Sequence, residues 1–276
     1  METPLLESLV VGMPIGIGHA AAVYPASYRD IHFALKCARD DNPNAVHLVE
    51  RGHELSHTFG GDMIVEPLFD GPIAPGMVGY ELLRGRSFHD YINTRIDNVP
   101  RFRAARRNTA DLLEYTQQSL DTMYAITKCL SHLKHKGLIA HCDIKPENIL
   151  IPSNHAGQFL FSQAKLLDFD GACVKEGEFY ACTNFYGAPE LAIGQPNDRS
   201  DLYSIGKTLL AALIEPPQYR DVGKFEFYDL PSTKKAFQRI DPNHELSSLI
   251  MRLILDDPSS RMNHEQLLNK LQRISL

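Results

Sequence analysis

Paired cysteine motifs are missing from this chain of 276 residues. Its five cysteines are an odd number, and no two of them form a CxxC pair. This argues against a disulfide framework and against a cysteine zinc site, whereas free thiols fit a reducing compartment. We therefore expect an intracellular, cytoplasmic protein.

Long apolar runs and excess positive charge are also missing. No apolar run approaches the ~20 residues that cross a bilayer, and no basic segment precedes the first apolar stretch, so neither a membrane span nor a signal peptide is predicted. Acidic residues outnumber basic residues by 34 to 28, which gives a formal net charge of −6. Because nucleic acids and anionic membranes favour basic surfaces, we expect neither as a partner.

The pattern of apolar residues changes along the chain. Short apolar runs broken by glycines predict strands and hairpins in residues 8–36, and two more strands are predicted at residues 64–69 and 77–83. From about residue 87 the pattern is mainly helical, although a short strand pair is predicted near residues 149–151 and 164–167.

A strand-rich first part followed by a helical second part predicts an α+β protein with two lobes. We place the boundary between residues 83 and 84, which gives lobes of residues 1–83 and 84–276. Within the first lobe, residues 44–59 predict a helix. Its expected apolar face consists of Leu48, Leu55 and Phe59, with Gly52 between them.

A glycine-rich segment and a lysine suggest a phosphate site. Gly16 and Gly18 lie between two predicted strands, where glycine lets backbone N–H groups approach phosphate oxygens closely. Such spacings are also common in ordinary hairpins, so this signal is weak alone. Lys36 ends the apolar strand that follows, and behind a glycine hairpin its side chain can turn inward toward phosphate oxygens.

The strongest signal is the segment from His141 to Asn148. Asp143 can orient a hydroxyl group and accept its proton, Lys145 can neutralise a transferring phosphoryl group, and Asn148 can bind a metal ion. Twenty residues later, Asp168 ends an apolar run, where it can bind the metal that bridges phosphates. Phosphoryl transfer needs mainly positioning and charge neutralisation, and these residue types supply both.

In these residues the chain resembles the eukaryotic-type protein kinases, from residue 15 to about residue 271. The resemblance rests on motifs that follow the family's order. They are the glycine loop at residues 16–23, Lys36, the catalytic loop at residues 141–148, Asp168-Phe169-Asp170, Ala188-Pro189-Glu190, residues 201–206, and residues 256–261 with the arginine that pairs with the glutamate of Ala-Pro-Glu.

The resemblance implies a bilobal protein kinase-like fold with a small β-rich N-lobe and a larger, mainly helical C-lobe. It also implies ATP and Mg²⁺ as cofactors, with Mn²⁺ as an alternative metal, and a protein substrate. The implied nucleotide-binding residues are Ile15, Gly16 and Gly18 in the glycine loop, Val23, Ala34 and Leu150 around the adenine, Tyr80 as gatekeeper, and Glu81 and Leu83 in the hinge.

The carboxylate partner of Lys36 is left open between two residues of the helix at residues 44–59. Glu50 lies slightly closer to Lys36 in sequence than the family's usual spacing, whereas Glu54 has the usual spacing but leaves too short a run to the next predicted strand. We expect Glu50 to form the pair and to complete the nucleotide site.

Several motif positions depart from the family pattern. Ala21 replaces the third loop glycine, Tyr203 stands where tryptophan is usual, and Asp170 stands where glycine is usual, although Gly171 follows directly. Cys142 replaces the arginine that usually precedes the catalytic aspartate, so the catalytic loop is of the non-RD type. We therefore expect activity without phosphorylation of the activation segment.

One competing motif is His53-Glu54-Leu55-Ser56-His57, which matches H-E-x-x-H. Two histidines one turn apart can bind zinc, with the glutamate activating water. The chain contains twelve histidines, so we interpret this match as accidental.

The expected function is that of a Ser/Thr protein kinase. The segment from Lys145 to Asn148 resembles the Ser/Thr branch, and Thr183 matches the threonine that bridges the catalytic aspartate and lysine there. Two alternatives remain: a kinase-like small-molecule phosphotransferase and a pseudokinase scaffold. The sequence leaves the oligomeric state open.

Overall fold

The computed structural model describes residues 8–98, 109–176, 178, 183, 185–213, 241 and 243–274. Antiparallel strands dominate its first part. They are β1 (Leu9–Val11), β2 (Gly16–Ile17), β3 (Ala21–Tyr28), β4 (Ile31–Ala38) and β5 (Met77–Glu81). The sheet has the order β1-β3-β4-β5, and β2 pairs with β3.

Alternation along β4 gives this sheet two different faces. Phe33 and Leu35 are fully buried on one face, where they pack with Ala26 and Ile73. Because successive side chains of a strand point to opposite faces, Lys36 lies on the other face. The strand therefore fixes which side of the sheet receives the lysine.

One helix, α1 (Ala45–Phe59), crosses the face of the sheet that carries Lys36. The predicted members Gly52 and Phe59 are buried, but Leu48 and Leu55 are only half-buried, and the neighbouring Val49 and Ser56 are buried instead. The small or polar residues Gly52, His53 and Ser56 share the inward face with Val49 and Phe59, so apolar character alone located this face only in part.

The predicted strand at residues 64–69 is wrong. This segment makes only isolated bridges, a parallel one from Ile64 to Leu166 and an antiparallel one from Pro67 to Tyr80. The segment changes partner after one bridge, because the N–H of Val65 donates to Leu166 whereas the N–H of Leu68 donates to Gly79 of β5, so neither pairing extends into a regular ladder.

Helices dominate the second part. They are α2 (Phe88–Asn98), α3 (Thr109–His135), α4 (Pro189–Ala192), α5 (Ser200–Leu213), α6 (Glu245–Leu253) and α7 (His264–Arg273), and a small antiparallel sheet joins β6 (Gly85–Ser87), β7 (Ile149–Pro152) and β8 (Lys165–Leu166). The predicted strand pair near residues 149–151 and 164–167 is confirmed. The predicted α+β fold with two lobes is confirmed, whereas the boundary between residues 83 and 84 stays a prediction.

A buried ion pair ties α4 to the segment before α7. Arg261 donates two hydrogen bonds to Glu190, with Nη1–Oε1 at 2.6 Å and Nη2–Oε2 at 2.8 Å, and Ser200 Oγ also donates to Glu190 at 2.8 Å. Burial alone would raise the pKa of Glu190, but the guanidinium of Arg261 outweighs it and lowers that pKa. The predicted pairing of these two residues is confirmed.

We expect Arg261→Ala to lower the free energy of unfolding by about 3–5 kcal/mol, because it leaves the buried Glu190 carboxylate unpaired. Urea unfolding measures this change. The matched control is Arg39→Ala, which breaks the exposed ion pair of Arg39 with Asp41 and should cost far less, because solvent screens exposed pairs. Equal losses in the two variants would contradict a structural role for the buried pair.

Candidate active site

Three side chains of the catalytic loop form one hydrogen-bonded cluster with Thr183. Lys145 Nζ donates to Asp143 Oδ2 at 2.7 Å and to Thr183 Oγ1 at 2.9 Å. Thr183 Oγ1 donates to Asp143 Oδ1 at 2.7 Å, and Asn148 Nδ2 donates to Asp143 Oδ2 at 2.9 Å. The Asp143 carboxylate is therefore held by three side chains, and the predicted bridge through Thr183 is confirmed.

Hydrogen bonds to α5 hold the backbone of the catalytic loop in place. The backbone N–H groups of His141 and Cys142 donate to the two carboxylate oxygens of Asp201, at 2.6 and 3.0 Å. Cys142 has a φ of 67°, a left-handed conformation that non-glycine residues adopt at a cost. The buried hydrogen bonds to Asp201 stabilise this turn, which sets the position of Asp143.

Lys36 lies between two carboxylates that follow β8. Its Nζ donates to Asp168 Oδ1 at 2.8 Å and to Asp170 Oδ1 at 2.7 Å. The Lys36 side chain is 9% exposed, whereas the Asp168 side chain is 36% exposed and therefore partly accessible to solvent. The structure thus brings Lys36 and Asp168 together, although 132 positions separate them in the sequence.

These contacts explain the charges in the cluster. Burial alone would lower the pKa of Lys36, but Asp168 and Asp170 outweigh it and raise that pKa. Burial and the neighbouring Asp168 carboxylate both raise the pKa of Asp170. The Lys36 ammonium therefore stays charged, and it can be buried only because its carboxylate partners are close to it.

The expected ion pair between Lys36 and Glu50 is wrong. Glu50 Oε1 instead accepts a hydrogen bond from the backbone N–H of Gly76 at 2.8 Å, and Glu54 is exposed. The helix turns Gly52 and His53 toward the sheet, so both glutamates lie outside its buried stripe. Sequence spacing considered only the glutamates of this helix as partners of Lys36. It gave no reason to expect that the inward position would be a glycine.

The residues expected around the nucleotide lie on neighbouring strands. Val23 of β3 and Lys36 of β4 are cross-strand partners, and so are Ala34 of β4 and Tyr80 of β5. The remaining ones are Ile15, Gly16 and Gly18 next to the β2–β3 hairpin, Glu81 at the end of β5, Leu83 after it, and Leu150 on β7. Their roles toward a nucleotide stay predictions.

The side chain of Glu81 has partners within the protein. Its Oε1 accepts hydrogen bonds from Lys165 Nζ at 2.7 Å and from the backbone N–H of Glu66 at 3.0 Å. A hinge role for this residue would therefore use its backbone, as the resemblance implies.

The oxygen atoms near Asp168 suit a divalent cation. Asn148 uses its amide nitrogen on Asp143, which leaves its amide oxygen for a metal, and Asp168 offers a partly exposed carboxylate. Mg²⁺ is usually bound by one or two carboxylates together with substrate phosphates and water. This donor set fits that pattern.

The H-E-x-x-H motif does not form a zinc site. His57 Nε2 donates to the carbonyl oxygen of Phe69 at 2.5 Å, and the His53 ring is buried against Tyr80. Glu54 lies exposed on the same helix. Over the described ranges, no group of three or more His, Cys, Asp or Glu side chains is arranged to hold a metal.

Comparison with known proteins identifies the family. Residues 9–271 match the protein kinase domain family, and the chain therefore belongs to that family. Its members use ATP and a divalent metal.

Similar curated proteins include two kinases. The chain is 36% identical to human "Dual specificity tyrosine-phosphorylation-regulated kinase 3" over 88 residues, which is 31% of this chain and 14% of the relative. It is 32% identical to the "Probable serine/threonine-protein kinase glkA" of Dictyostelium discoideum over 120 residues, which is 40% of this chain and 24% of the relative. The chain thus matches less than a quarter of the length of these relatives.

Membrane insertion by a helix finds no support in the described residues. None of the helices there combines the length and the hydrophobicity that crossing a bilayer needs.

We expect stability to fall in mild acid because of His53. Burial and the nearby His57 lower the pKa of His53 to about 4 in the folded protein, from 6.5. Below pH 6.5 the unfolded chain binds the proton first, so stabilisation is lost as the pH falls toward 4. Between pH 7.5 and 5 this amounts to about 2 kcal/mol.

Urea unfolding at pH 7.5 and pH 5 measures this loss. His53→Gln should lose less stability than the wild type over this interval, whereas His155→Gln, which replaces an exposed histidine, should follow the wild type. His264 is present in all three proteins, and burial lowers its pKa to about 4 as well, so it contributes a common background. An unchanged pH dependence in His53→Gln would contradict the assignment.

Proposed function

We propose that this protein is an ATP- and Mg²⁺-dependent kinase that phosphorylates Ser or Thr hydroxyls of proteins. The observation that carries the proposal is the cluster of Asp143, Lys145 and Thr183, in which the threonine bonds to both charged groups. Family membership supports phosphoryl transfer, and the bridging threonine with Lys145 supports Ser/Thr acceptors over tyrosine.

Asp143 is the group that orients the acceptor. Its carboxylate is held at Oδ1 by Thr183 and at Oδ2 by Lys145 and Asn148, so it keeps one orientation when a hydroxyl group approaches. It accepts the hydroxyl proton as the new O–P bond forms and the bond from the γ-phosphorus to the departing ADP oxygen breaks, and Lys145 stabilises negative charge on the transferring group.

Lys36 and Asp168 act on the nucleotide side. Lys36 supplies a fixed positive charge for phosphate oxygens, and Asp168 and Asn148 would hold the metal ion. Bound Mg²⁺ neutralises charge that develops on the phosphates during transfer. The apolar side chains of Val23, Ala34 and Leu150 would flank the adenine.

The two alternatives explain fewer observations. A small-molecule phosphotransferase does not account for the Glu190–Arg261 pair that anchors the end of the activation segment. A pseudokinase does not account for the retained cluster around Asp143 and Lys36. We also propose a cytoplasmic location, which the four described cysteines support because each is free.

We expect Thr183→Ala to lower kcat for transfer from [γ-³²P]ATP to a generic protein substrate by roughly tenfold or more, about 1.4 kcal/mol. The change removes the bridge that holds Asp143 against Lys145. Thr183→Ser keeps the hydroxyl group and should retain most of the activity.

Asp143→Asn serves as the inactive reference, and phosphoamino-acid analysis of the product identifies the acceptor. Phosphotyrosine alone, or no transfer by the wild type at any metal concentration, would contradict the proposed function. Full activity of Thr183→Ala would contradict the role of the bridge.

Regulation is expected to need no phosphate on the activation segment. Cys142 is buried and carries no arginine charge to be neutralised, and Thr183 is already bonded within the cluster. Tyr186 is 8% exposed, and Tyr180 lies outside the described residues. We expect phosphatase-treated protein, shown by mass spectrometry to be unmodified at these three hydroxyl residues, to keep its activity. A collapse reversed only by rephosphorylation of one of them would contradict this.

A further inference from the structure

A glycine of α1 and a departure from the family pattern meet at one point of the structure. Gly52 stands in the middle of α1, and Asp170 stands where the family usually has glycine. They are 118 residues apart in sequence, yet they are in direct contact. The side chain of Asp170 occupies the space that Gly52 leaves open.

The fit between them is tight. A Cβ atom placed on Gly52 would lie 2.2 Å from Asp170 Oδ1, 2.9 Å from its backbone nitrogen and 3.1 Å from its Cα. Any side chain at residue 52 would therefore displace the Asp170 carboxylate. The same Oδ1 atom accepts the hydrogen bond from Lys36 at 2.7 Å, so the gap at Gly52 decides whether Lys36 has this partner.

The pair of Lys36 and Asp170 is the more buried of the two ion pairs that Lys36 makes. The Asp170 side chain is 12% exposed, compared with 36% for Asp168. Asp168 is also the carboxylate placed to bind a metal, and a carboxylate cannot give the same oxygen fully to a cation and to an ammonium group. Asp170 has no such second task, and neither Glu50 nor Glu54 contacts Lys36.

We propose that Asp170 is a positioning residue that serves as the standing counter-ion of Lys36, in the place of a helix glutamate, and that Gly52 is the gap that admits it. Asp170 keeps Lys36 charged and oriented when Asp168 turns to the metal. This rests on the proposed function only in that Lys36 binds nucleotide phosphates. The counter-ion of Lys36, Asp170, and the proposed metal ligand, Asp168, then belong to the same loop.

The test measures binding of a non-hydrolysable ATP analogue by calorimetry, with and without Mg²⁺. With Mg²⁺, Asp170→Asn should weaken binding about tenfold or more, because Lys36 then has no carboxylate of its own. Without Mg²⁺ the loss should be clearly smaller, since Asp168 still pairs with Lys36. In the kinase assay, KM for ATP should rise while KM for the protein substrate changes little.

Asp170→Gly, which introduces the family's usual residue, should behave like Asp170→Asn and guards against misfolding caused by the amide. Gly52→Ala should also weaken binding of the Mg²⁺ complex, although alanine favours a helix more than glycine does. The control is Asp41→Asn, which alters an exposed carboxylate paired with Arg39 and should bind as the wild type does. Circular dichroism and thermal unfolding show that each variant is folded.

Three outcomes would overturn the proposal. They are binding within twofold of the wild type in folded Asp170→Asn and Asp170→Gly, an equal loss with and without Mg²⁺, and a loss in Glu50→Gln as large as that in Asp170→Asn. A wild type that transfers no phosphate to protein, but whose analogue binding depends on Asp170 as described, would refute the proposed function and leave the positioning role supported.

Discussion

The arrangement of the site depends on the burial of one ammonium group, that of Lys36. Lys36 projects from β4 into a region where an unpaired charge would be costly, so it must have carboxylate partners within hydrogen-bond distance. Those partners, Asp168 and Asp170, come from the segment after β8. The five-stranded sheet and the helical part of the chain are thereby joined through a charge cluster at the proposed nucleotide site.

The same segment links this cluster to the catalytic loop. Phe169 lies between Asp168 and Asp170, and its ring packs against Phe59 at the end of α1 and against His141 of the catalytic loop. Asp201 in turn holds the backbone of that loop. The acceptor side and the nucleotide side thus share a continuous set of buried contacts, which positions their charged groups relative to each other.

Several predictions from the sequence concern groups that are close together in the chain, and these agree with the structure. The cluster of Asp143, Lys145 and Asn148 spans six residues, so local geometry alone brings the side chains near one another. The pairing of Glu190 with Arg261 and the bridge through Thr183 came from the family resemblance, and the structure shows both contacts. The strand predicted at residues 64–69 is wrong because this segment pairs first with β8 and then with β5, with a single bridge to each.

By itself, the sequence determined which chemical groups are present and in what order, because phosphoryl transfer needs particular residue types at short, recognisable spacings. Only the tertiary structure decided which carboxylate supports Lys36. Each residue turns a helix by about 100°, so Glu50 and Glu54, which each lie two residues from Gly52, point away from the inward position that Gly52 occupies. Whether an aspartate from the distant loop then fills the gap depends on packing across the two lobes, which no local pattern records.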